Sequence, residues 1–158
     1  PNRGYLNRIG ILLKKGAQSA YDDDNLFVLE QAAYRNDVNV LRLLLQSGMK
    51  AAIADEKGNT LAHTAMQGLI LGFEEWDIDM TDFLTNYSLP TFKLLLEKGV
   101  EAECRNHDGN TPLDLFQHEI DDVANPDNDN AQDDIIRYQQ AYVQLQSLFK
   151  KYGAQPSS

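Results

Sequence analysis

Residues 55–66 read DEKGNTLAHTAM, and residues 106–117 read NHDGNTPLDLFQ. The triplet Gly-Asn-Thr therefore occurs twice, and its two copies lie 51 residues apart, at 58 and at 109. The stretch Leu-Leu-Leu-x-x-Gly also occurs twice, at 43–48 and at 94–99, with the same offset. A shared offset for two unrelated motifs indicates that the chain is an array of similar units.

Each copy of the first motif predicts the start of a helix. Thr60 and Thr111 stand where an N-cap hydroxyl accepts a bond from an otherwise unpaired amide. Pro112 follows at the first helical position, where no amide donor is needed.

Four glycines predict the ends of helices and the turns between them. Gly48 and Gly99 close the leucine runs, at positions where a left-handed residue ends a helix. Gly58 and Gly109 stand where a tight turn precedes the next helix.

Taken together, these motifs resemble the ankyrin repeat, whose pattern is DxxGxTPLHLAA followed by a second helix that ends in LLLxxGA. The resemblance covers nearly the whole chain. It divides the chain into a partial N-terminal repeat, a complete repeat, a repeat with an insertion at about 69–88 and a C-terminal capping repeat with an insertion at about 119–136, which span residues 1–21, 22–54, 55–105 and 106–154. The 51-residue offset is then a repeat of about 33 residues plus an insertion of about 18. The implied fold is an all-α solenoid of stacked helix-turn-helix units joined by short β-turns, with extended helices from the two insertions.

The insertions carry helical patterns of their own. Apolar residues recur at spacings of three and four in the first, at Leu69, Phe73, Trp76, Met80, Phe83 and Tyr87. In the last unit, two such seams predict a long helical hairpin, along Leu113, Phe116, Ile120 and Val123, and along Ile135, Tyr138, Tyr142, Leu145 and Phe149. The stretch 125–132 (NPDNDNAQ) is a turn by composition. Two readings of Trp76 stay open: it packs against the last hairpin, or it forms part of an exposed aromatic surface for a partner.

Composition is that of a globular protein. Of 158 residues, 42% are hydrophobic and 24% charged, no apolar run is long enough for a membrane span, and no secretory leader is visible. The single cysteine, Cys104, excludes an internal disulfide framework and favours a reducing, cytoplasmic setting. Because the chain starts without Met and in mid-repeat, we expect a fragment of a longer protein.

Acidic residues outnumber basic ones by 24 to 14, which gives a net charge of −10. Fifteen of the acids lie in three stretches, at 22–24, 74–82 and 119–134, and no Lys or Arg occurs at 58–92 or 106–136. Nucleic acid is excluded as a partner, since it needs a contiguous basic surface. The charge favours a partner protein with a basic surface, and the alternative is that the acidic runs are solvated faces that aid solubility.

No catalytic, cofactor or metal site is predicted. By the family pattern, His63 makes a structural hydrogen bond in the first helix of its unit, and Asp114 replaces it in the next unit. Cys104 with His107 lacks further ligands at zinc spacing, and 127–138 lacks the glycine and the last glutamate of a calcium loop. Without a nucleophile–base set or a phosphate loop, the chain is not expected to be an enzyme.

Solenoids of this kind bind other proteins on a concave surface of turn tips and first-helix residues. The family's variable contact positions, carried onto this sequence together with the insertion tryptophan, predict partner contacts at Asp23, Asp24, Leu26, Tyr34, Arg35, Glu56, Lys57, Asn59, Gln67, Trp76, His107, Asp108, Asn110, His118 and Glu119. Leu26, Tyr34 and Arg35 are the strongest anchors, because Tyr and Arg dominate binding energies and a tip leucine has no core to fill. The insertion puts the groove positions at Gln67 and Gly68 in question.

We therefore expect a protein-binding module that is monomeric in isolation. The chain has irregular repeats and is rich in Asn and Gln, with 12 and 11 residues. In these features it resembles the ankyrin proteins that intracellular bacteria deliver into host cytoplasm. Two alternatives remain: the chain is the substrate-docking or regulatory part of a larger enzyme, or it is a homo-oligomerisation unit that uses the aromatic insertion.

Overall fold

The described part of the chain is all-α. The computed structural model describes residues 23–75, 80–125, 127 and 131–153, of which the side chains at 23–25, 73–75, 80 and 131 are left out. Within these ranges there are six helices: α1 (Asp23–Tyr34), α2 (Val38–Gln46), α3 (Leu61–Glu75), α4 (80–97), α5 (Pro112–Val123) and α6 (Ala131–Gly153). The only extended pairing in these ranges is an isolated bridge between Ala54 and Thr60. The predicted partial repeat at 1–21 lies outside the described residues.

The helices form two layers. In one layer α3 contacts both α1 and α5, and in the other α4 contacts both α2 and α6. Helices that follow one another in the chain also pack together, α1 with α2, α3 with α4, and α5 with α6, which joins the two layers. The core between the layers is apolar and contains fully buried leucines and phenylalanines from all six described helices, among them Leu29, Leu41, Leu69, Phe92, Phe116 and Leu145.

Helix α2 illustrates how the sequence sets these elements. Asp37 caps its start by accepting a 3.2 Å hydrogen bond from the Val40 amide. Its buried residues, Val38, Leu41, Leu44 and Leu45, follow the spacing of one helical face.

The predicted glycine endings are confirmed. Gly48 and Gly99 have φ values of 107° and 98°. The amide after each glycine reaches back five residues, Met49 to the Leu44 carbonyl at 3.4 Å and Val100 to the Leu95 carbonyl at 3.1 Å. This Schellman arrangement satisfies carbonyls that the helix end would leave unpaired.

The first insertion is helical on both sides of 76–79, which lie outside the described residues. Helix α3 runs on to Glu75, and α4 begins at Met80. Helix α4 is interrupted by a π-helical stretch, Leu84–Ser88, between the α-helical stretches Met80–Phe83 and Leu89–Glu97. A π turn holds an extra residue, so the three-and-four spacing no longer tracks one face. Tyr87, the last member of the predicted apolar series, is accordingly 50% exposed.

The long hairpin predicted for the last unit is confirmed. Helices α5 and α6 pack together, and Phe116 lies fully buried with ring centroids 5.7 Å from Tyr138 and 6.4 Å from Tyr142. Phe149 joins α6 to α4 through Phe92, at a centroid distance of 5.3 Å. Of the predicted turn, residues 126 and 128–130 lie outside the described residues.

No helix in the described ranges combines the length and the apolar character that crossing a bilayer requires.

Candidate functional site

The site is built on two turns, the first at residues 55–60. Asp55 Oδ1 accepts hydrogen bonds from the amides of Lys57 at 2.8 Å and Asn59 at 2.9 Å. The Asp55 amide in turn donates to the Asn59 carbonyl at 3.0 Å. Gly58 has a φ of 76°, a left-handed conformation that glycine adopts without strain. One carboxylate thus organises the whole loop.

The second turn, at residues 106–111, repeats this geometry. Asn106 Oδ1 accepts from the amides of Asp108 at 3.1 Å and Asn110 at 3.0 Å, and the Asn106 amide donates to the Asn110 carbonyl at 2.9 Å. Gly109 has a φ of 83°. The two segments that share a sequence motif therefore share a backbone structure.

The two turns are bonded to each other. Asn106 Nδ2 donates to Asn59 Oδ1 at 2.9 Å, and the His107 amide donates to the Lys57 carbonyl at 2.9 Å. The contact is close, because a Cβ on Gly58 would lie 2.8 Å from the His107 ring. These bonds align the turn tips side by side.

Buried His63 ties helix α3 to the second turn, so the structural role predicted for it is confirmed and extended. Its Nε2 lies 2.7 Å from the Asn110 carbonyl, which can only accept, so Nε2 carries the proton. Its Nδ1 then accepts from the Thr60 amide at 3.1 Å. Burial is the main cause that lowers the pKa of His63, against the opposing Asn110 bond and nearby carboxylates.

Asp114 occupies the equivalent position in α5 and acts differently, as the sequence indicates. Its carboxylate accepts from the Thr111 amide at 2.9 Å, while the Thr111 hydroxyl accepts from the Asp114 amide at 3.1 Å. This capping box confirms Thr111 as an N-cap. Thr60 caps α3 more weakly, with 3.4 Å from the His63 amide to its hydroxyl.

A groove of about 560 Å³ opens beside the two turns, and we call it the turn groove. Six of the predicted contact residues line it: Leu26, Glu56, Lys57, Asn59, Gln67 and Asp108. The sequence analysis did not nominate its other four lining residues, Glu30, Asp55, Asn106 and Leu115. Gln67, which the insertion put in question as a groove residue, is among the residues that line it.

The turn groove is electronegative. Four carboxylates line it, against one cation, Lys57. Partial burial, followed by the charge of Asp55, raises the pKa of Glu30. Burial also acts to raise the pKa of Asp55, but the hydrogen bonds from Asn59 and Lys57 and the Lys57 charge lower it overall. The turn thus favours the ionised form of Asp55, whose charge adds to burial in raising the pKa of Glu30.

Tyr34 and Arg35 lie at the end of α1, outside the lining of the turn groove. Both are exposed. The Tyr34 carbonyl packs against Gly68 of α3 so closely that a Cβ there would overlap its oxygen.

Asn36 holds the same junction. It has a φ of 54°, is fully buried, and its Nδ2 lies 3.1 Å from the carbonyls of both Ala33 and Ala65. The sequence analysis missed Asn36 and the close contact of Gly68 with α1. A signal for Asn36 was its place in a short polar link between two helices, where Asn tolerates the left-handed region; nothing local marks Gly68.

Four more of the predicted contacts, His107, Asn110, His118 and Glu119, lie in the second turn and on α5. His118 Nε2 lies 3.2 Å from Asn110 Oδ1, which brings these two together beside the second turn, and both His118 and His107 are exposed. Glu119 follows His118 on α5 and is half-buried.

Asp23 and Asp24 do not form a turn tip. Helix α1 begins at Asp23, so both are helical, and Leu26 is as well. In the repeat alignment, Asn25 of this helix stands at the position of Gly58 and Gly109, which are left-handed turn residues. The side chains of Asp23 and Asp24, and all of Trp76, lie outside the described residues.

Across the described residues, no group of three or more His, Cys, Asp or Glu side chains is gathered to hold a metal ion. In comparisons with known proteins, no family model matches this chain and no curated protein matches it.

Proposed function

We propose that the chain is an ankyrin-type protein-binding module and that its turn groove binds a basic segment of a partner protein. The observation that carries this proposal is convergence. Six residues nominated from the repeat pattern line one groove, and the groove has four carboxylates for one cation. A segment that presents Arg or Lys side chains complements this charge.

The repeat part of the proposal rests on matched geometry at an offset of 51 residues. The turns around Gly58 and Gly109 have the same hydrogen bonds. The helix ends at Gly48 and Gly99 share the bond from the amide after the glycine to the carbonyl five residues before it. The layered contacts of α1, α3 and α5 and of α2, α4 and α6 are what stacked helix-turn-helix units produce.

The turn groove is suited to binding without rearrangement. Asp55 and Asn106 fix the two loops by side-chain bonds to backbone amides, and the turns are bonded to each other. A preformed surface loses little conformational freedom on binding, which favours affinity.

A selection from a random-peptide library tests the proposal, with the full 158-residue chain as bait. We expect enriched peptides to be rich in Arg or Lys and to bind more weakly as salt rises. The variant Glu56→Gln with Asp108→Asn neutralises two groove carboxylates. It should weaken the binding of these peptides about three- to tenfold.

The matched control is Glu101→Gln with Asp122→Asn, which removes the same charge from exposed positions outside the lining. It should change affinity by less than about twofold. Equal losses in the two variants would mean that net charge, rather than the turn groove, attracts the peptide, and the proposed site would then be wrong.

A further inference from the structure

A second groove lies on the other layer of helices. Its volume is about 500 Å³, and its lining comes from α2, α4 and α6, so it shares no residue with the turn groove. Leu94 is buried at this surface, and Leu89, Pro90 and Leu148 are half-buried there. We call it the helix groove. Its walls are thus largely aliphatic.

Two exposed cations, Arg42 on α2 and Lys93 on α4, line the helix groove. Ion pairs found within the described ranges join Arg105 to Asp114 and Arg137 to Asp134, so neither groove cation is neutralised by a pair there. The lining thus holds two cations and one carboxylate, Glu97, and this net positive charge is opposite in sign to the net charge of −10 of the whole chain.

Glu97, the one acid in the lining, is charged and has a partner on α6. Glu97 accepts a 3.1 Å hydrogen bond from the hydroxyl of Tyr152 on α6. That contact joins α4 to α6 at the groove. Arg42 and Lys93 form no ion pair with any of the described residues.

We propose that the helix groove binds an acidic–apolar segment of a partner protein, in which one or two large apolar side chains are flanked by carboxylates. The aliphatic walls provide a site for the apolar side chains, whose burial supplies affinity. Arg42 and Lys93 attract the carboxylates and repel basic segments, which supplies specificity. The chain then carries two sites with opposite charge preference on different layers, so it can hold two partners at once. This inference does not depend on the turn groove being occupied.

The test is a second random-peptide selection on the full chain, run in parallel on the double variant Arg42→Glu with Lys93→Glu. We expect wild type to enrich peptides that combine Asp or Glu with Leu, Ile, Phe or Trp, and the variant to lose them. In fluorescence anisotropy with one labelled enriched peptide, the double variant should raise Kd about tenfold or more.

The matched control is Lys50→Glu with Lys98→Glu, which makes the same charge change at exposed cations outside the lining and should alter Kd by less than about twofold. A third variant, Leu148→Ala, shortens an apolar wall and keeps the charge, so it should also weaken binding. Circular dichroism and thermal melts establish that each variant is folded.

Three results would overturn the proposal. The first is that no acidic–apolar peptide is enriched on wild type. The second is that such a peptide binds the double variant Arg42→Glu with Lys93→Glu as tightly as it binds wild type, or that it loses affinity only in the turn-groove variant. The third is self-association of wild type in sedimentation that the same double variant abolishes, which would make the helix groove an interface between copies of this chain.

Discussion

The ring of His63 donates a hydrogen bond to the carbonyl of Asn110, 47 residues further along the chain, at a distance of 2.7 Å. Because Nδ1 of the same ring accepts from the Thr60 amide, one buried side chain caps its own helix and fixes the neighbouring turn. The turn it fixes carries Asp108, a carboxylate of the turn groove. A structural histidine therefore supports the shape of the proposed binding surface.

Replacing His63 with Ala should destabilise the fold by about 2–4 kcal/mol, because it leaves the Thr60 amide and Asn110 carbonyl without this partner and opens a cavity. Denaturant unfolding followed by circular dichroism measures the loss. The control is His118→Ala, which removes an exposed ring and should change the free energy of unfolding by less than about 0.5 kcal/mol. If His63→Ala and His118→Ala lowered the free energy of unfolding equally, the hydrogen bonds of buried His63 would add nothing to stability.

The same histidine predicts how stability depends on pH. Its pKa lies below the ordinary value of 6.5 in the folded chain, mainly because of burial, so the unfolded state binds a proton more readily. The free energy of unfolding should therefore fall as the pH drops below about 6.5, by up to about 1.4 kcal/mol per pH unit from this group.

Denaturant melts between about pH 7.5 and pH 5.5 measure this slope, above the range in which carboxylates dominate. His63→Gln should flatten it. A slope that survives in His63→Gln would contradict the assignment.

Any side chain at Gly68 should destabilise the contact between α3 and α1. A Cβ at this position overlaps the backbone carbonyl of Tyr34, which cannot move aside as a flexible side chain could. Gly68→Ala should therefore cost about 1–3 kcal/mol of stability or more, despite the higher helix propensity of Ala. Gly153→Ala is the control, because its Cβ would meet neighbours only at 3.7 Å. A neutral Gly68→Ala in thermal melts would show that the helices separate at little cost.

Asn36 allows the contributions of backbone and side chain to be separated. Asn36→Gly keeps a residue that accepts the φ of 54° but removes the bonds to Ala33 and Ala65, and it should cost about 1–3 kcal/mol. Asn36→Ala loses the bonds and adds left-handed strain, so it should cost about 1 kcal/mol more. If the two variants unfold at the same denaturant concentration, strain at this link is not significant.

The sequence predicted those features that local rules determine. The turns at Gly58 and Gly109, the helix ends at Gly48 and Gly99 and the cap at Thr111 all depend on residues within one short motif, and the structure confirms them. Their repetition also brought six nominated contacts to one groove.

What the sequence did not reveal depends on distant contacts or on a change of helical period. Asn36 bonds to a carbonyl 29 residues away, and Gly68 is required only because α1 approaches it. The π-helical stretch at Leu84–Ser88 moved Tyr87 off the predicted face. At Asp23 and Asp24, where the repeat pattern predicted a turn tip, the chain is helical.

The proposed turn groove should itself respond to pH through Glu30. Its pKa is raised by partial burial and by the charge of Asp55, so this carboxylate takes up a proton at a higher pH than an ordinary glutamate does, above 4.5. A basic peptide obtained by selection should then lose affinity as the pH is lowered through this raised pKa, because the groove loses one negative charge while Asp55, whose pKa is lowered, stays ionised. Anisotropy titrations across this range measure the effect, and Glu30→Gln should show a flatter profile with weaker binding at neutral pH.

The control is Glu101→Gln, which changes an exposed glutamate outside the groove and should keep the wild-type profile. If Glu30→Gln binds the peptide as wild type does at every pH, the basic segment does not occupy the turn groove next to α1.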